Sequence, residues 1–180
     1  MSNELAPGIQ DRRSTIMAYV LVSCFIILFF NTINLPRTAL DQRATLRLVH
    51  DSFGLIVLLL AAVRLYWHYR DPAPRPPPGL PERSFAFNRT ILVFLYATFA
   101  ITGVIGFIYA WGEGRDVVLF GITLPHLVAR SESVRVPTGY LHSSLGFYYL
   151  MLLSIWFAFG FYQHWRYKVG LRRLLPGRQV

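Results

Sequence analysis

The sequence predicts an all-α, integral membrane four-helix bundle with both termini in the cytoplasm, and three observations predict it. The chain is 54% hydrophobic and only 15% charged, too apolar for a soluble domain of 180 residues. Four apolar windows, about Ile16–Leu35, Leu46–Trp67, Thr90–Trp111 and Gly139–His164, each approach the roughly 20 residues that a helix needs to cross a bilayer. The basic residues behind the formal net charge of +9 flank these windows, where lipid head groups and topology account for them better than nucleic acid does. What remains is too short for another domain, so residues 1–180 read as one membrane domain.

The first window reads as a retained helix. It lacks a small-residue cleavage pattern, and the polar NTINLPRTALDQR follows it. Ser14 and Thr15 are its cap candidates. Its Cys24 is the only cysteine in the chain, so no intrachain disulfide can form, and it reads as a small apolar residue. The second window is followed by DPAPRPPPGLPER, whose prolines forbid helix and favour an extended linker. The third carries Gly103 and Gly106, which fit either a close approach to a cofactor ring or ordinary helix packing. After it, GEGRDVVLFGITLPHLVARSESVRVP is apolar enough at VVLFGITLP to lie across the bundle mouth as a hairpin or irregular cap. The fourth window leads into HWRYK and the basic tail LRRLLPGR. Trp67, Trp111 and Trp165 fall at window ends, as an interfacial belt requires.

Four crossings put both termini on one side. That side and the second connection hold twelve arginines and lysines: Arg12, Arg13, Arg64, Arg70, Arg75, Arg83, Arg89, Arg166, Lys168, Arg172, Arg173 and Arg178. The opposite side holds six: Arg37, Arg43, Arg47, Arg115, Arg130 and Arg135. The excess places both termini in the cytoplasm.

His50 and His142 carry the function. Each lies near the start of a window, and a glycine follows four residues later, at Gly54 and Gly146. Residues i and i+4 share a helix face, so each helix offers an imidazole beside a bare stretch of backbone. The second and fourth windows run in the same direction, which sets both imidazoles at one depth near the outer leaflet. An imidazole inside a bilayer needs a reason. One haem b, its iron between His50 and His142 and its ring over the glycines, supplies one. A pair of hydrogen-bonded packing histidines is the competing reading.

At HDSFGLIVLLLAAVRLYW, ITGVIGFIYAWGEGRDVVLFGITLP, LHSSLG and the tail LRRLLPGR the chain resembles the bacterial cytochrome b561 family, four-helix inner-membrane b-type cytochromes. The resemblance covers nearly the whole chain. It implies that His50 and His142 ligate one haem on the outer side. It also implies a second, cytoplasmic-side haem, ligated from the start of the first span and from a position fourteen residues beyond His142. Those positions here hold Ala18 (or Tyr19, if the register slips by one) and Trp156, so that site reads as lost, with the indole filling its volume. His68 and His164, at the inner span ends, fit interfacial solvation better than a second haem. His126, in the outer loop, reads as solvated, with an entrance or propionate role as the alternative. Propionates need cationic partners, and Arg43, Arg47, Arg130 and Arg135 lie on the expected side. Arg64 matches a recurrent family arginine and is expected to snorkel to head groups.

These readings make the chain an electron-transfer protein rather than a stand-alone oxidoreductase, with no catalytic side chain assigned. A six-coordinate haem leaves no position for oxygen chemistry. The expectation is a mono-haem inner-membrane electron carrier serving a larger redox complex, with membrane lipid, other redox subunits and quinone or superoxide as partners. One alternative is a superoxide:quinone oxidoreductase whose outer arginines, Arg115 included, draw in the anion. Another is a non-catalytic scaffold with a structural haem. No catalytic triad, phosphate-binding glycine loop or zinc spacing is present, so hydrolase, nucleotide and nucleic-acid functions are not expected.

Overall fold

The computed structural model describes residues 12–71 and 75–170, with the side chains of residues 12–14 left aside. Four long helices account for most of it: α1 (Arg12–Asn34), α2 (Arg43–Arg70), α3 (Glu82–Gly112) and α4 (Glu132–Tyr167). Each is long and apolar enough to cross a membrane. The basic tail LRRLLPGR, including Arg172, Arg173 and Arg178, and the centre of the proline linker lie outside the described residues.

The helices overrun the apolar windows. α1 starts at Arg12, so Ser14 and Thr15 sit inside its first turn rather than ahead of it. α3 begins at Glu82, directly after Pro81, and not near Thr90. α4 begins at Glu132 rather than Gly139 and contains Pro137. Bilayer thickness limits the apolar stretch of a helix but not its polar ends. At α4 the start is fixed locally: the Ser131 carbonyl accepts from the Val134 and Arg135 amides, at 3.2 and 2.8 Å. Glu132 then places a negative charge on the positive end of the helix dipole. The Ser131 amide donates to the Gly112 carbonyl at 2.9 Å, which ties the start of α4 to the end of α3.

Helix α3 is the hub, packing on both α2 and α4, while α1 packs on α2. Small residues set these approaches. A Cβ at Gly112 would lie 3.1 Å from Val134, one at Gly139 2.9 Å from the Tyr109 ring, and one at Gly103 3.0 Å from Leu58. Among the described residues the backbones of α2 and α4 stay more than 8 Å apart. Only side chains can bridge that gap.

The half of the bundle nearer the start of α3 is filled with aromatic rings. Ile91, Leu95 and Tyr149 are buried there, with Phe25, Phe99 and Trp156 packed against them. The Phe99 and Tyr149 rings are 3.8 Å apart, and Phe25 meets Tyr149 at 5.3 Å. Buried Cys24 sits with Leu21 and Val57 between α1 and α2, as a small apolar residue would.

The connection between α3 and α4 forms a two-stranded hairpin, β1 (Val118–Leu119) and β2 (Ile122–Thr123), antiparallel in register Val118 to Thr123. It packs over α2, with Val117 and Leu119 buried against Ala110 and Trp111 and with Leu55 beside them. Trp111 therefore lies under the loop, not in an interfacial belt, whereas Trp165 is 73% exposed and suits one. At the hairpin tip Phe120 (φ 50°) and Gly121 (φ 86°) are both left-handed, the two-residue turn that matches strand twist. Glycine adopts this freely; phenylalanine does so at a cost of about 1 kcal/mol. Phe120→Asn should therefore tighten the loop, read as a longer half-life under limited proteolysis. An unchanged or shorter half-life would show that the Phe120 ring contributes more than its backbone costs.

Candidate functional site

His50 lies on the second turn of α2, and His142 on the third turn of α4. Their ring centres are 6.0 Å apart, with the planes crossed at 73°. They are the side chains that meet across the gap between α2 and α4. One turn further along each helix the surroundings open: a Cβ at Gly54 or at Gly146 would meet no neighbouring atom within 4 Å. Gly54 is half-buried and Gly146 exposed, and neither has a neighbour in the space a side chain would take.

The two rings are held differently. His142 Nδ1 lies 3.0 Å from the Thr102 carbonyl oxygen of α3. A carbonyl only accepts, so Nδ1 carries the proton and donates, which leaves the Nε2 lone pair free for a metal. His50 Nδ1 is buried and has no hydrogen-bond partner among the described residues. Gly106 abuts the His142 ring, since a Cβ there would lie 2.7 Å from Cε1. Gly103, by contrast, has Leu58 as its nearest side chain, the packing role of the two it could have had.

Around the site, α2 holds the outer loop with the two residues that follow His50. Asp51, 9% exposed, accepts from Arg115 Nη1 at 2.7 Å. Buried Ser52 accepts from the Phe120 amide at 3.1 Å. Sequence reading assigned Asp51 and Ser52 no role, because their partners lie 64 and 68 residues away.

Of the six arginines at the hairpin end, four are engaged, Arg37 by donating to the Ile33 carbonyl. Arg43 donates to the carbonyls of Thr38 and Pro36, Arg115 pairs with Asp51, and Arg135 makes a two-point ion pair with Glu132. Arg47 is half-buried, two residues short of the His50 turn, and neither it nor Arg130 has a hydrogen bond or ion pair among the described residues. His126 pairs with Asp116 at 2.9 Å rather than standing solvated alone. His68 contacts Arg89 at 3.3 Å, and His164 Nδ1 lies 2.8 Å from the Val169 carbonyl at the end of α4. Arg64 reaches across to α3. Its guanidinium donates to the Tyr96 hydroxyl of α3, at 3.3 and 3.2 Å.

Comparison with known proteins identifies the family. The profile of the prokaryotic cytochrome b561 family matches residues 18–177. The chain belongs to that family. Membership makes it a multi-pass membrane protein that binds b-type haem and works in electron transfer. Cytochrome b561 homolog 2 of Escherichia coli (strain K12) is 23% identical over 117 residues, 64% of this chain and 62% of that protein. The chain thus spans less than two thirds of the length of this relative.

Proposed function

We propose that this member is a mono-haem electron carrier of the bacterial inner membrane, with both termini in the cytoplasm and His50 and His142 as the axial ligands of one haem b near the outer face. The observation that carries the reading is the 6.0 Å separation of the two rings across the α2–α4 gap. Imidazole–metal bonds of about 2 Å on each side give ring centres about 6 Å apart. Three further features fit. Gly54 and Gly146 leave room for a flat macrocycle to approach the backbone of each helix. His142 presents an unprotonated Nε2. His50 Nδ1 is buried without a hydrogen-bond partner, which counts against the reading of a hydrogen-bonded packing histidine.

Haem would supply a one-electron iron couple here, held by the imidazoles of His50 and His142. The protein's own contribution is placement. α3 orients His142, the hairpin covers the mouth of the site, and the Asp51–Arg115 pair fixes the hairpin above His50. Arg47 is free to donate a charge-assisted hydrogen bond to a propionate. Arg135 could do so only by sharing with Glu132.

The count of one haem rests on Trp156 and Ala18. Trp156 packs against the Ile91–Leu95–Tyr149 cluster in the inner half, where neither residue can ligate iron. The inner-end histidines are engaged with Arg89 and the Val169 carbonyl. Pyridine haemochrome assay of the purified chain should give one haem per polypeptide; two would overturn the mono-haem reading. Without an inner relay, electrons exchange on the outer side, with membrane quinone or a neighbouring redox subunit as partner. The alternative of superoxide oxidation is weakened because three of the five candidate funnel arginines are already engaged. Rapid haem reduction by superoxide in the isolated chain would reverse that ranking.

A further inference from the structure

We propose that Gly106 is a positioning residue for His142: its bare α-carbon admits the imidazole to the Thr102 carbonyl, and that hydrogen bond fixes the tautomer of the ring and strengthens it as an electron donor to iron. The inference rests on the reading of His142 as an axial ligand and goes beyond it, to what sets the potential of the site.

The geometry is specific. A Cβ at Gly106 would lie 2.7 Å from Cε1 and 2.9 Å from Nδ1 of His142, so any side chain there must displace the ring. Nδ1 lies 3.0 Å from the Thr102 oxygen. Thr102 precedes Gly106 by four residues, so in a regular helix its carbonyl already accepts the Gly106 amide. A carbonyl has two lone pairs, and the second serves the imidazole. The Thr102 hydroxyl does not compete, because it donates to the Thr98 carbonyl at 2.6 Å. An N–H donated to a backbone carbonyl raises the basicity of the opposite ring nitrogen. His50 has no such partner. The two ligands are therefore inequivalent, with α3 tuning only one of them.

The test uses the full chain, purified with haem. Gly106→Ala should push the ring off Thr102, weaken donation and destabilise the ferric state. The expected result is a higher midpoint, by about tenfold in the ferric/ferrous equilibrium, or about 59 mV for one electron. Gly112→Ala is the packing control. It tightens the same α3–α4 interface, at 3.1 Å from Val134, and should lower the melting temperature with the midpoint unchanged. Bound haem with an unshifted midpoint in Gly106→Ala overturns this inference and leaves the ligand assignment standing. A wild-type chain that takes up no haem overturns the ligand assignment itself. If Gly106→Ala fails to assemble, the wild-type chain still decides. With 15N-labelled histidine in the diamagnetic ferrous form, the His142 Nδ1–H should exchange slowly with solvent. Rapid exchange of that proton would overturn the hydrogen bond and the inference with it.

Discussion

His142→Ala is expected to leave the chain without low-spin b-type haem, and His50→Ala should do the same. Each substitution removes one of the two imidazoles that meet across the α2–α4 gap. Loss of even a supporting partner can cost about 100-fold in metal affinity, and a lost ligand should cost more. The readout is the reduced-minus-oxidised spectrum, normalised to protein. The two variants should then differ in the stability of the haem-free chain. His142→Ala removes the imidazole that donates to the Thr102 carbonyl, a loss of about 1 kcal/mol. His50→Ala removes a buried nitrogen that has no partner and should cost less. A wild-type low-spin spectrum surviving in both variants would exclude this pair as ligands.

The parts of the site that were legible in the sequence are those written in side chains with a fixed helical phase. His50 with Gly54 and His142 with Gly146 obey the i, i+4 rule, so their shared faces and common depth followed from spacing alone. The structure brings the two imidazoles to 6.0 Å across the α2–α4 gap and leaves both glycines without a close neighbour. The apolar windows located the helices but not their ends, because hydropathy reports the bilayer and not the hydrogen bonds that begin a helix outside it. Ser131, whose carbonyl starts α4, sits in a stretch that reads as loop. The Thr102 carbonyl was not legible at all, since every residue carries one and only the fold aims it. Gly106 was noticed but not resolved between packing and ring contact, a choice that depends on α4 register. The Arg135–Glu132 pair could have been read from its i, i+3 spacing. Arg115 and Asp51 could not, because a loop brings them together across 64 residues.

That long-range pair should produce the largest stability effect in the outer half. Arg115→Ala leaves the Asp51 carboxylate buried beside His50 with its 2.7 Å partner gone. Breaking a buried pair from one side costs about 3–5 kcal/mol, and the 19% exposure of Arg115 points to the lower end, about 3 kcal/mol. Most of this is the penalty of a stranded charge and not the worth of the bond. Adding Asp51→Asn to Arg115→Ala should therefore recover most of the lost melting temperature, although it removes the second partner as well. The midpoint should follow the same pattern. An unneutralised negative charge one residue from an axial ligand favours the ferric state, so Arg115→Ala lowers the midpoint and the double variant returns it towards wild type. Glu113, 3.6 Å from the Arg115 Nε, is outward of Asp51 and is the weaker partner, so Glu113→Gln should move neither quantity much. Compensation in the double variant is what separates a charge clamp from a loop anchor. Simple additivity of the two single substitutions would mean that Arg115 holds the hairpin by packing, and that Asp51 does not need it.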